Sequence, residues 1–161
     1  MFKRLIVTGL LLLVPASIQS STLPQSASDI KVSGELTPDK IKKGRSVRAS
    51  VVMEIPQSLH VQSNKPLDKF LIATKLEVQA PQGLKVGPIT YPRAITRRLG
   101  FSTQPVAVYE GKAVMRFNVT VPANYDGSST ELRGNLRFQA CNNDSCFPPQ
   151  VREVKLFLNL E

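Results

Sequence analysis

The stretch Val47-Arg48-Ala49-Ser50-Val51-Val52-Met53-Glu54-Ile55 sets the class of fold. Val47, Ala49, Val51, Met53 and Ile55 fall on one side of an extended chain, and Arg48, Ser50, Val52 and Glu54 on the other. That period of two is expected of a strand with one face buried. Pro56 ends the run, because proline has no N–H to give a ladder.

The same period recurs on both sides. Residues 30–36 carry a modest strand signal upstream, and Phe70, Ile72, Thr74, Leu76 and Val78 repeat the alternation downstream. Pro81-Gln82-Gly83 makes a turn before another expected strand at 84–89. Strands at 106–109 and 113–121 flank Glu110-Gly111-Lys112, a connection short enough to join antiparallel neighbours, and Ala113, Met115, Phe117, Val119 and Val121 share a face. After a turn cluster at 124–129, Leu132, Leu136, Phe138 and Ala140 point one way and Arg133, Asn135, Arg137 and Gln139 the other. Continuing that parity puts Cys141 on the outward face. Val154, Leu156, Leu158 and Leu160, alternating with Lys155, Phe157 and Asn159, return as the last strand, so the cysteines cap a hairpin.

Seven or eight short strands, with no helical period among them, predict an all-β fold: an antiparallel, immunoglobulin-like β-sandwich. Residues 91–105 form the longest stretch without periodicity, a basic connection that includes Gly100 and Phe101. Such a long irregular segment is a candidate functional loop, with Phe101 expected at its surface.

The amino terminus has a different character. Met1-Phe2-Lys3-Arg4 is a short cationic start, the run from Leu5 to Val14 is apolar apart from Thr8 and Gly9, and Pro15-Ala16-Ser17-Ile18-Gln19-Ser20 supplies small residues for cleavage after Ser20. Residues 1–20 therefore read as a signal peptide, 21–29 as a flexible leader and 30–161 as one domain. No later stretch is apolar for long enough to span a bilayer, so the mature chain is expected to be soluble in an oxidising compartment outside the cytoplasm; a monomer is expected. Losing Lys3 and Arg4 takes the formal charge from +9 to +7. The basic clusters at 40–48 and 93–98 could attract an acidic partner or anionic lipid, but without tryptophan or interleaved aromatics they give nucleic acid little to stack on.

The only two cysteines lie in Phe138-Gln139-Ala140-Cys141-Asn142-Asn143-Asp144-Ser145-Cys146-Phe147-Pro148-Pro149. Four residues separate them, so a disulfide across a tight turn is accessible, and the proline pair stiffens the exit. Closing so short a loop contributes roughly 2 kcal/mol under the chain-entropy model, about half of what bridging distant strands would give. A disulfide that opens and closes explains the pair better than a staple does. Two thiols with His60 fall short of a structural zinc site, and no metal or other cofactor is expected. A soft-metal carrier using Cys141, Cys146, His60 and Met53 or Met115 is the weakest alternative, since both methionines occupy the inward phase of strands. A non-catalytic sandwich with a structural disulfide is the other. His60 could assist proton transfer, and Tyr91, Phe101, Tyr109 and Phe147 could line a docking surface around the sulfurs.

Three stretches together resemble the amino-terminal periplasmic domain of the thiol:disulfide interchange protein DsbD. They are Leu59-His60-Val61-Gln62-Ser63-Asn64-Lys65-Pro66 running into Phe70-Leu71-Ile72, then Val108-Tyr109-Glu110-Gly111, and above all Phe138-Gln139-Ala140-Cys141 with Cys146-Phe147-Pro148-Pro149. The resemblance implies an immunoglobulin-like domain whose cysteines take electrons from a membrane-embedded thiol reductase and pass them to periplasmic thioredoxin-like or disulfide-isomerase proteins. It also implies an aromatic loop over the disulfide, with Phe101 in that position; with Phe101, the residues Tyr109, Phe147, Gln139 and His60 are the expected partner-binding or shielding groups. Cys141 is expected to attack and be attacked, with Cys146 resolving. The family's full-length members continue into a transmembrane reductase, whereas this sequence ends at Glu161, which implies a separate electron donor.

Overall fold

The computed structural model describes residues 26–161; the expected signal peptide, 1–20, and the leader residues 21–25 lie outside them. Ser26 caps a single 3-10 turn, Ala27–Asp29, through a reciprocal capping box with Asp29, and Ala27 and Ile30 are buried in the core.

Twelve strands follow: β1 (Lys31–Thr37), β2 (Lys40–Ile41), β3 (Ser46–Ile55), β4 (His60–Gln62), β5 (Lys75–Gln79), β6 (Lys85–Val86), β7 (Ile95–Arg97), β8 (Val106–Tyr109), β9 (Gly111–Thr120), β10 (Ser129–Phe138), β11 (Ala140–Cys141) and β12 (Gln150–Leu160). One sheet runs β1-β3-β9-β6 with antiparallel neighbours throughout. A second runs β2-β12-β10-β5, antiparallel except where β12 meets β2. Their inner faces form the core that the alternation predicts. Val47, Ala49, Val51, Met53 and Ile55 of β3 and Ala113, Met115, Phe117 and Val119 of β9 pack in one cluster with Leu132, Leu136 and Phe138 of β10 and Leu156 and Leu158 of β12. Each large side chain so buried contributes about 1.5–3 kcal/mol relative to exposure. Met53 and Met115 are fully buried there as packing groups.

A third, smaller sheet, β11-β4-β8-β7, carries the cysteines. It forms where the chain changes partners. β10 pairs with β12 as far as Phe138↔Gln150; past Gln139, β11 pairs with β4 instead, with Cys141 opposite His60.

Four local expectations change. The strand expected over 70–78 shrinks to β5, because the Asp68 carboxylate accepts the Phe70 N–H at 2.8 Å and the Asp68 carbonyl accepts that of Leu71 at 3.2 Å. That local turn competes with a ladder and leaves Phe70 80% exposed. The strand at 84–89 narrows to β6, since Pro88 lacks a donor, with a single bridge from Thr90 to Arg116 beyond it. Glu110-Gly111-Lys112 does not close a hairpin: β8 pairs with β4 and β7, while β9 pairs with β3 and β6. The chain instead turns a corner between sheets at Gly111, whose φ of 62° suits glycine. Finally, the 91–105 connection contains β7, which pairs with β8.

Candidate functional site

The cysteines sit at the two ends of a tight turn. Cys141 and Cys146 are joined by a disulfide with their Cα atoms 3.9 Å apart. Backbone hydrogen bonds close the turn on both sides, from Asn142 N–H to the Ser145 carbonyl at 2.9 Å and from Phe147 N–H to the Ala140 carbonyl at 2.8 Å. Asn142 organises its interior: its Oδ1 accepts the N–H groups of Asp144 at 2.9 Å and Ser145 at 2.8 Å. An asparagine side chain doing this replaces backbone partners that a four-residue turn cannot offer itself.

The outward placement of Cys141 is overturned. Its exposure is 0%, whereas Cys146 is half-buried. Parity fails as a guide here because β11 is covered on both faces. Ala140 faces the sandwich core, and on the other side the Gln62 amide approaches the Cys141 sulfur, Nε2 to Sγ, at 3.4 Å.

The irregular loop after β7 closes over this turn. Gly100 donates its N–H to the Asn143 carbonyl at 2.7 Å, and a Cβ on residue 100 would stand 3.0 Å from that oxygen. Phe101 is half-buried against a small apolar cluster of Leu99, Val106 and Val108, shared with Leu71 from the 63–74 loop. Phe147 is half-buried against the main core.

Polar side chains tie the surrounding elements to the turn. His60 places Nδ1 2.7 Å from Glu110 Oε1 and Nε2 3.2 Å from Asn143 Oδ1. Both ring nitrogens thus face oxygens, and the tautomer decides which of the two contacts carries the hydrogen. Glu110 also accepts both arms of Arg97, Nε at 2.8 Å and Nη2 at 2.9 Å. The Arg97 guanidinium holds the Glu110 carboxyl below the usual carboxylate range; the His60 contact adds to this and partial burial opposes it. The chain of contacts Arg97–Glu110–His60–Asn143 thus connects β7, the β8–β9 corner, β4 and the cysteine turn.

Gln139 bridges two other segments, accepting the Ile72 N–H at 3.0 Å and donating to the Phe147 carbonyl at 3.3 Å. Tyr109, 3% exposed, lies beneath the surface: its hydroxyl donates to Asn64 Oδ1 at 2.7 Å and accepts the Asn64 N–H at 3.1 Å. Burial pushes its pKa up. Gln139, His60 and Phe147 are therefore tied to the segments that hold the disulfide, Phe101 packs on Leu99, Val106 and Val108 next to Gly100, which is fastened to the turn, and Tyr109 supports the 63–74 loop from within. Gln62, Arg97, Glu110 and Asn143 belong to the same assembly; their types and spacing do not distinguish them in the sequence, since the contacts that recruit them span up to 83 positions.

The family described as "Thiol:disulfide interchange protein DsbD, N-terminal" matches residues 32–158. Among solved structures, the N-terminal periplasmic domain of ScsB from Proteus mirabilis superposes with a TM-score of 0.51 at 12% identity, over 78% of this chain and 44% of that one. The reduced DsbD N-terminal domain of Neisseria meningitidis gives 0.45 at 20% identity, over 69% of this chain and 77% of that one. The chain thus spans under half the length of the ScsB structure, and at that identity the likeness is one of fold. No curated protein matches.

Proposed function

The chain belongs to the family of DsbD N-terminal domains, a thiol–disulfide interchange module, and from that premise we propose that it relays electrons through the Cys141–Cys146 pair in the periplasm. The donor in this reading is a membrane-embedded thiol reductase and the acceptors are thioredoxin-like or disulfide-isomerase proteins. The observation that carries the proposal is the asymmetry of the pair, one sulfur sealed and the other half-buried, in a turn to which the loop after β7 is fastened through Gly100 and Asn143.

The burial of Cys141 supports an order of attack that starts at Cys146. A donor's thiolate reaches the Cys146 sulfur and forms the mixed disulfide there; the Cys141–Cys146 bond breaks and its electron pair leaves on Cys141. The donor's second thiolate then attacks the mixed disulfide, Cys146 departs, and the two protons of the donor dithiol end on the two cysteines. Transfer to an acceptor is the reverse, with the Cys146 thiolate attacking. Phe101 and its loop shield the pair until a partner displaces them. His60, with both ring nitrogens engaged, positions the turn through Asn143.

The test is the reduction potential of the pair, measured against glutathione or dithiothreitol buffers while circular dichroism follows the fold. A value between those of thioredoxin and protein disulfide isomerase, with the fold retained on reduction, is expected. One below about −300 mV, with unfolding on reduction, would make the disulfide a structural staple.

A further inference from the structure

Gln62 is the most confined polar side chain beside the reacting sulfurs. Its exposure is 0%. Its backbone is held on both sides, the N–H by the Gln139 carbonyl at 3.0 Å and the carbonyl by the Thr74 hydroxyl. The amide reaches the Cys141 sulfur through Nε2 at 3.4 Å, and its Oε1 has no partner. Among the described residues only one other buried side-chain oxygen or nitrogen, Oε1 of Gln150, shares that condition.

An unpaired buried amide oxygen is costly, and a disulfide cannot relieve it because neither sulfur carries a hydrogen. The oxidised protein therefore holds half of Gln62 unsatisfied. Reduction changes what the sulfur can do. As the S–S bond breaks, Cys141 carries the electron pair as a thiolate, a far better acceptor for the Nε2–H than a disulfide sulfur. Once a proton from the donor dithiol arrives, Cys141 has an S–H that can donate to Oε1 after the amide turns. The site is poorly matched to the disulfide and well matched to the two species that follow it.

We propose that Gln62 stabilises the reduced form of the pair by hydrogen-bonding the Cys141 sulfur, first as leaving thiolate and then as thiol. It thereby raises the reduction potential and speeds departure of the buried sulfur. This rests on the exchange reading above.

The experiment compares the wild-type protein with Gln62→Met, which keeps the length of the side chain and removes its hydrogen bonds, and with Gln62→Leu as a second apolar variant. Unfolding is followed in the oxidised state and under excess dithiothreitol, and the dithiol–disulfide equilibrium is measured against glutathione. The expected result is opposite effects in the two states: the oxidised variants as stable as wild type or more so, the reduced variants less stable. The equilibrium should move toward the disulfide about tenfold, or about 30 mV for a two-electron couple. Equal stability changes in both states with an unmoved equilibrium, or loss of the fold in both states by both variants, would make Gln62 a structural residue and overturn the inference while leaving the exchange reading intact. Unfolding of the wild type itself on reduction would overturn both.

Discussion

Gly100 donates its N–H to the carbonyl of Asn143 at 2.7 Å, so the loop after β7 is fastened to the disulfide turn by backbone alone. The neighbouring Phe101 adds the apolar half of the attachment by packing on Leu99, Val106 and Val108. A side chain at residue 100 would press on the Asn143 oxygen from 3.0 Å, which accounts for glycine at a position where φ makes no demand for it.

Removing the apolar half should loosen the loop without disturbing the core. A half-buried phenylalanine ring contributes about 1–2 kcal/mol, less than a fully buried one. If the loop must lift before a small thiol can reach Cys146, Phe101→Ala should raise the rate of reduction by dithiothreitol roughly tenfold, since about 1.4 kcal/mol is a factor of ten in the open population. Gly100→Val should act in the same direction. Stopped-flow measurement of disulfide reduction decides it, and rates equal to wild type for both variants would show that the loop does not shield the pair.

Glu110 makes the site sensitive to acid. Its carboxyl is depressed in the folded protein, chiefly by Arg97, so the ionised form is favoured by folding. A depressed acid contributes stability that is present above its unfolded pKa, about 4.3, and that is lost as pH falls through the folded value. With Arg97 about half exposed, solvent screening keeps the contribution to about 1 kcal/mol or less. Denaturation midpoints from pH 7 down to pH 3 should therefore fall less steeply for Glu110→Gln than for wild type, with the two curves converging at the acid end. Parallel curves would mean that the Arg97–Glu110–His60 contacts carry no net stability.

The parts of the fold that were legible are those with one dry face and one wet one. Val47 to Ile55 and Val154 to Leu160 alternate because each strand has the core on one side and solvent on the other, and the cysteine turn between β10 and β12 follows from their pairing. Parity lost its meaning at Cys141, where β11 is buried on both faces, and at Phe70, where the Asp68 side chain offers the backbone a turn instead of a ladder. The Glu110-Gly111 corner has the composition of a hairpin; only the partners of β8 and β9 reveal that the chain is changing sheets. Of the site, the Cys141, Cys146, Gln139 and Phe147 cluster lies within one short stretch and could be read. Gln62 and Glu110 stand in two of the stretches that carry the family resemblance, but their contacts with Cys141, His60 and Arg97 are made only by folding.

The unequal burial of the two sulfurs orders their reactivity. With Cys141→Ser the remaining thiol is half-buried Cys146; with Cys146→Ser it is Cys141, which has no exposed surface in the folded chain. The two remaining thiols then differ by access, so Cys146 should react with a small aromatic disulfide at least roughly tenfold faster than Cys141. Adding denaturant should bring the two rates together, because the difference belongs to the fold. The same variants examine the exchange order with a thioredoxin-like protein: Cys141→Ser should accumulate a stable mixed disulfide through Cys146, having lost the sulfur that would resolve it, and Cys146→Ser should not. If instead Cys141 traps the partner in the folded state, the turn must open far enough to expose the buried sulfur, and the attack order proposed from burial would be reversed.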